Sequence, residues 1–274
     1  MNKHNPLTRR EFLKFLTAGA VLTAGRPLHL LAQDGAEIVL PEFINVPPSL
    51  MLHSRHRWKL PEMLEYLAEA GFQGITYKDL ELALLGDVTL PENPILISID
   101  DLSPVRGNPS HSYFAAMKET LVEYGFKGTF ALYHKPDESP DEAAWEQIAA
   151  WVEDGIAIES HSSYHSNLDR YNLTERDYQI EIVESARVIE ERTGQAVRAL
   201  MTPYGSGYDR ETGQLNEKVI ATMKEANIRF MVGILDGRDP IPTDIALDEV
   251  IYLGRVGPGL TDDANGALYE MTHW

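Results

Sequence analysis

Pro94-Ile-Leu-Ile-Ser-Ile-Asp-Asp101 is a short apolar run, introduced by turn residues, that ends in two adjacent carboxylates. Its length and its boundaries are those of a buried strand. Gly155-Ile-Ala-Ile-Glu-Ser160 repeats the pattern further along and leads directly into His161-Ser-Ser-Tyr-His165. Both polar motifs therefore leave a strand at its C-terminal end, the rim at which an α/β barrel collects its chemistry.

Working outward, Ile95–Ile99, Gly128–Tyr133, Ile156–Ser160, Ala199–Thr202, Phe230–Gly233 and Val250–Leu253 read as strands. Between them, Pro61–Ala70, Tyr113–Tyr124, Asp141–Glu153, Thr174–Thr193 and Leu215–Ala226 carry apolar stripes at helical spacing, with Leu60, Met63, Leu64 and Leu67 on one face of the first. Pro140-Asp141 and Leu173-Thr174 supply start signals for two of them. The alternation predicts an α/β fold with a largely parallel sheet, and its count and order suit a distorted, incomplete (β/α) barrel. The sequence holds no internal repeat, low-complexity tract or second domain.

Thr8-Arg-Arg-Glu-Phe-Leu-Lys14 precedes an apolar run from Phe15 to Gly25, the pattern of a twin-arginine export signal. The run is shorter than the roughly 20 residues that cross a bilayer. The expected organisation is a signal segment over Met1–Ala32, a catalytic domain over 33–258 and a C-terminal extension over 259–274. The mature protein is expected in the periplasm or outside the cell, with the twin-arginine machinery as a partner and without a stable membrane span. With 42 acidic against 24 basic residues the formal charge is −18. Removing Met1–Ala32 takes away Lys3, Arg9, Arg10, Lys14 and Arg26 together with Glu11, leaving −22. Such a surface repels nucleic acid and anionic lipid. The absence of cysteine excludes disulfides and thiol catalysis.

Two imidazoles and one carboxylate hold a divalent cation while leaving positions open for water and substrate, and a second carboxylate can then accept a proton from that water. Alone, an Asp-Asp pair also suits a solvated turn or helix cap, and His-x3-His also suits one face of an ordinary helix. Together with their neighbours, however, these residues resemble the polysaccharide deacetylase family, carbohydrate esterases built on the NodB-type domain. Ser98-Ile-Asp-Asp101 stands where that family has Thr-Phe-Asp-Asp, Ser160–Leu168 is similar to its His-Ser/Thr-x-x-His segment, and Pro203-Tyr-Gly205 matches its Pro-Tyr-Gly turn. Leu60–Leu67, Gly71–Leu80, Leu121–Phe130 and Trp145–Ile148 follow in the family's order, so the resemblance extends over Val46–Pro258.

The resemblance implies Asp101, His161 and His165 as ligands of one divalent metal ion, zinc first, with cobalt, nickel or iron accepted by the same donors. It implies Asp100 as the general base and Tyr204 as a substrate-binding residue. Leu50-Met-Leu-His53 is similar to the Leu-Met-Tyr-His segment of the branch that resembles poly-N-acetylglucosamine deacetylases, which makes His53 the general acid, with His273 as the alternative. Two departures stand out: Met201 where many members have an arginine that orients the base, and Leu102 where glycine is usual. Arg106 or Arg198 is the expected substitute for that arginine, and Arg255 is expected only in a buried ion pair. The activity implied is removal of N-acetyl groups from an N-acetylated glycan. A metal-dependent amidohydrolase of a small non-sugar amide and a catalytically silent glycan-binding domain are the alternatives.

Overall fold

The structure, a computed structural model, describes residues 28–31, 37–40, 43–209, 211–234, 241–242, 245–246 and 248–256. Most of the signal segment, the C-terminal extension and His273 lie outside the described residues. Leu28–Leu31 and Glu37–Leu40 form an antiparallel pair separate from the main sheet.

The main sheet has eight strands. They are β1 (Ser49–His53), β2 (Gln73–Ile75), β3 (Pro94–Leu102), β4 (Thr129–Leu132), β5 (Ala157–Ser160), β6 (Ala199–Met201), β7 (Phe230–Ile234) and β8 (Ile251–Arg255). All pair in parallel, in the order β8-β7-β6-β5-β4-β3-β1, with β2 alongside the first residues of β3. The ends of this path almost meet. A single bridge joins Leu50 of β1 to Val256, where the Met51 amide donates to the Val256 carbonyl and the Val256 amide to the Ser49 carbonyl, both at 2.9 Å. The sheet is thus the distorted, unsealed barrel that the strand–helix alternation predicts.

Among the described residues six helices accompany it: α1 (Leu60–Glu69), α2 (Tyr77–Leu84), α3 (Ser110–Glu123), α4 (Glu142–Glu153), α5 and α6 (Glu217–Glu225). Helix α5 opens over Glu175–Tyr178, passes through π-turns over Gln179–Glu184 and closes over Ser185–Thr193. Their starts follow from side-chain chemistry. Asp141 accepts the Ala144 amide at α4, Thr174 and Asp177 form a reciprocal capping box at α5, and Asn216 accepts from Lys218 and Val219 at α6.

Alternation along the strands sorts the core into two layers. Ile95, Ile97, Ile99, Phe130, Ile158 and Leu200 face the helices and pack with Leu64, Phe114, Trp145 and Ile148. Leu96, Ala131, Ala199, Met201, Phe230 and Leu253 face the barrel axis and pack with Tyr77, Leu80 and Leu84 of α2. Asp79 of α2 pairs with Lys127 just ahead of β4, and Glu81 with Arg198 just ahead of β6. Helix α2 therefore plugs the N-terminal mouth, and the C-terminal mouth is left for chemistry. Neither α2 nor β1 is expected from apolar periodicity. Each is too short for its period to register, although the capping box between Thr76 and Asp79 is the signal that marks α2.

Strands β5 and β6 share only one register pair, Ser160 with Leu200. Side chains span the rest of that junction. Gln195 accepts the Ile158 amide at 3.2 Å and donates to the Ile158 carbonyl at 2.9 Å. The buried Glu159 carboxylate accepts the amides of Arg198 and Ala199 at 2.7 and 2.8 Å. These bonds replace missing ladder bonds beneath His161.

Candidate metal and catalytic site

The β1/β3 register sets His53 opposite Asp100, and both close their strands at the C-terminal mouth. Strict alternation would send Asp101 to the face opposite Asp100. Asp101 instead adopts φ 78°, and the β3/β4 register shifts between Ile99 and Leu102. This bulge turns the Asp101 carboxylate toward the mouth, and the left-handed backbone is a cost the surrounding structure has to hold.

His161 and His165 do not share a helical face. The segment is a loop after β5, with Ser162 and His165 at φ 63° and 59°. The π-turns of α5 hold it. Ser163 donates its hydroxyl to the Ile180 carbonyl at 2.6 Å and its amide to the Glu181 carbonyl at 3.1 Å. The Tyr164 amide donates to the Glu181 side chain at 2.9 Å. A π-turn inside a helix commonly accompanies a functional site, and here it presents acceptors to the segment between two candidate ligands. Glu181→Ala is therefore expected to weaken metal binding about ten-fold, the scale typical of supporting contacts around metal ligands. A competition titration with a chromogenic chelator measures this, and unchanged affinity would mean that the loop holds itself.

His134, buried beneath the same loop, lies 3.4 Å from the Ser163 hydroxyl, and burial pushes its imidazole down to about 4. Its folded value lies below the ordinary one, so the stability it contributes is complete above about pH 6.5 and is lost as pH falls toward 4, up to roughly 3 kcal/mol. His134→Gln should flatten that part of the Tm–pH curve.

The donor atoms of Asp101, His161 and His165 lie within 4.8 Å of one another. The two imidazole Nε2 atoms stand 3.5 and 3.2 Å from the same oxygen, Asp101 Oδ1. Bonds of ~2.0–2.2 Å to a common tetrahedral ion imply ligand–ligand edges of roughly 3.3–3.6 Å, so the donors are spaced to fit one. The tautomer fits as well. His161 Nδ1–H donates to the Met201 carbonyl at 2.7 Å, which leaves the Nε2 lone pair facing Asp101. The residues present thus suit one divalent cation.

Around this trio, His53 Nδ1 lies 3.0 Å from Asp101 Oδ2, and Asp100 Oδ2 lies 4.0 Å from His161 Nε2. Asp100 is almost fully buried, and Arg255 grips it from β8, Nη1 to Oδ1 at 2.6 Å and Nη2 to Oδ2 at 2.9 Å. Arg255 is itself oriented by donation to Ser98 Oγ at 2.9 Å and to the Gly233 carbonyl at 3.3 Å. Burial opposes charge on Asp100, but the Arg255 guanidinium and the nearby His161 outweigh it and hold the carboxyl below its usual range. Burial also opposes charge on Asp101, which the imidazoles of His161, His165 and His53 more than offset.

The expected substitutes for the missing arginine are not at Asp100. Arg198 is drawn to Glu81 at 2.7 Å, at the opposite end of the barrel, and Arg106 is exposed in the loop after β3. Met201 is fully buried in the inner core, and the guanidinium arrives from β8 instead. Arg255 is the functional-site residue that the sequence reading confined to a plain ion pair. Tyr204 is 63% exposed, adopts φ 61° and sets its ring 4.9 Å from that of His165. Tyr133 flanks the same imidazole at 5.4 Å, whereas Trp145 is buried in the core.

A barrel with three donors spaced to suit one cation and an arginine-clamped carboxylate at its C-terminal mouth is a scaffold that suits hydrolase chemistry. The sequence places the chain more closely: the profile of the family described as polysaccharide deacetylase matches residues 87–231, and the protein belongs to that family. It is 27% identical over 231 residues to YxkH of Bacillus subtilis strain 168, whose name assigns it to the polysaccharide deacetylases; the alignment covers 81% of this chain and 76% of the relative. Among solved structures, the deacetylase PplD of Streptococcus pyogenes, in complex with acetate, superposes with a TM-score of 0.60 at 14% identity, covering 83% of this chain and 99% of its own. IcaB from Ammonifex degensii gives a TM-score of 0.59 at 19% identity, with 84% and 98% covered. These two structures share the fold.

Proposed function

We propose that this protein is an exported, metal-dependent N-deacetylase that releases acetate from an N-acetylated polysaccharide or oligosaccharide. Membership of the polysaccharide deacetylase family supports the substrate class. The observation that carries the mechanism is the convergence of Asp101, His161 and His165 beside an Asp100 clamped by Arg255.

Asp101, His161 and His165 would hold the divalent cation, zinc in our reading, which when bound would supply Lewis acidity to the reacting groups. Asp100, kept ionised by Arg255, takes the proton from a water as its oxygen attacks the acetamide carbon. The C–N bond then breaks. His53, whose side chain retains partial access to solvent, protonates the departing nitrogen and so leaves acetate and a free amine on the sugar. Its bond to Asp101 fixes the ring while that proton is held. Tyr204 stacks on the sugar ring, a contact worth about 1 kcal/mol. Tyr204→Ala should accordingly raise KM several-fold and leave kcat nearly unchanged, which initial-rate kinetics on a soluble acetylated oligosaccharide will measure.

Metal analysis of the purified protein, combined with acetate release from a panel of acetylated oligosaccharides, tests the whole reading. One equivalent of cation and acetate release that a chelator abolishes are expected. Bound cation with hydrolysis of small amides alone would replace the glycan with a non-sugar substrate, and absence of bound cation would remove the mechanism. Export by the twin-arginine route is supported by Thr8–Lys14 and predicts cytoplasmic retention of the Arg9→Lys, Arg10→Lys double variant in a fractionation assay.

A further inference from the structure

His53-Ser-Arg-His-Arg-Trp-Lys59 crowds two arginines, a lysine and a tryptophan into the turn that follows β1, and from Phe43 to Pro61 the chain has no acidic residue. This is unusual for a chain in which acidic residues outnumber basic ones by 42 to 24. Elsewhere Lys118, Lys127, Lys135, Arg187 and Arg192 each lie against a carboxylate, and the cations that do not, such as Lys78 and Arg106, stand singly along the chain. Among the described residues, Arg55, Arg57 and Lys59 lie against none. Neutral groups lie against two of them instead: Arg57 donates to the Ser54 carbonyl at 3.2 Å with its guanidinium 4.4 Å from the centre of the Tyr113 ring, and the Lys59 ammonium is 4.7 Å from the centre of the Trp58 ring. Of these, Arg55 and Arg57 present charge to solvent with no carboxylate against it, while Lys59 is buried.

The turn is also fixed in place. The His53 amide donates to His56 Nδ1 at 3.0 Å, so the cations begin two residues beyond the imidazole that touches Asp101. Arg55 and Arg57 are exposed, and Trp58 is 62% exposed beside them. Two exposed guanidiniums in one turn with an exposed indole suit an anionic group carried on a sugar ring, because arginine's fork fits carboxylate and phosphate oxygens and an aromatic face fits the ring.

We propose that Arg55, Arg57 and Trp58 form an anion-binding subsite that selects N-acetylated glycans bearing a carboxylate or phosphate ester next to the sugar that loses its acetyl group. The location relative to bond cleavage rests on the deacetylase reading above. Three oligosaccharides with one N-acetylglucosamine backbone test it: unmodified, carrying lactyl ether carboxylates, and carrying phosphate esters. The Arg55→Gln, Arg57→Gln double variant should lose about ten-fold or more in kcat/KM on an anionic substrate, through KM, with neutral turnover unchanged. The anionic arm that suffers identifies the group, and the loss should shrink in 0.5 M salt as exposed charges are screened. Because Arg57 also packs on Tyr113, Arg55→Glu alone supplies a variant that leaves that packing intact. Equal loss on neutral and anionic substrates, or loss on neither, overturns the subsite. Calorimetric titration of the same oligosaccharides into Asp100→Asn separates the two readings. Arginine-dependent anionic binding without acetate release from any substrate would sink the deacetylase activity and sustain the subsite, whereas acetate release with charge-independent binding would do the reverse.

Discussion

Asp100→Asn is expected to keep its cation and lose about a thousand-fold in kcat, whereas His161→Ala is expected to lose the cation itself. The difference follows from what each side chain faces. Both oxygens of Asp100 are occupied by Arg255, so its service to the site is to accept a proton, a role worth about 10²–10⁴ in rate. His161 offers a lone pair to the shared centre with its other nitrogen anchored on the Met201 carbonyl, and its deletion leaves two donors where three converge. The pair of measurements is metal content after dialysis and acetate release at saturating substrate. Equal loss of metal in both variants would make Asp100 a ligand and leave the site without a base. The asparagine variant carries its own complication, because an amide facing the clamp removes the charge that Arg255 pairs with, so its thermal stability has to be measured alongside turnover.

The elements that sequence made legible are those with a long period. Helices at 60–69, 110–123, 142–153, 175–193 and 217–225 follow amphipathic stripes and capping residues. The strands that carry Asp100 and precede His161 are continuous apolar runs. Short elements escaped: β1 was visible only through the resemblance around His53, and α2 offered eight residues and one capping box. The positions of Asp101, His161 and His165 were legible because their order and chemistry are local. Their backbone was not. A left-handed Asp101 and a left-handed His165 are non-glycine residues in conformations that composition argues against, and only the β3 bulge and the π-turns of α5 show what holds them.

Arg255 shows the other limit. Nothing within ten residues of Asp100 or Met201 announces it, because the contact joins β8, one end of the sheet order, to β3, the strand next to its other end. The loss of arginine at position 201 argued for a silent binding module, and that argument weakens once a guanidinium is found on the base from another strand. It also shows why the β8–β1 junction matters. Arg255 is the last residue of β8, and the next residue, Val256, forms the single bridge to Leu50 that spans the open seam. The clamp and the closure are thus adjacent in the chain, and a change in one bears on the other.

Arg255→Met should therefore be among the most damaging single substitutions in this chain. Removing one partner of a buried, bidentate pair leaves a carboxylate with no compensation, a loss on the order of 3–5 kcal/mol, and the base loses the charge that keeps it ionised. Turnover should fall at least as far as in Asp100→Asn. The physical cause is separable from general misfolding. If the penalty is the orphaned charge, the Asp100→Asn, Arg255→Met double variant should recover much of the lost Tm, because two neutral side chains need no partner. The pH dependence should also change sign in metal-free protein. In the parent, Arg255 lowers the Asp100 carboxyl, so its stabilising contribution is present above the unfolded value near 4 and is lost as pH falls through the lower folded value. Without the guanidinium, burial is opposed only by His161 and His53, each a weaker influence, and is expected to raise the folded value above the unfolded one, so the single variant should be most stable in acid and lose stability as pH rises. Calorimetric melts of the parent and the three variants across about pH 2 to 8 decide it. A double variant no more stable than Arg255→Met, with the parent's slope retained, would show that Arg255 acts by packing beside Gly233 and Ser98 and that the charge on Asp100 has another source.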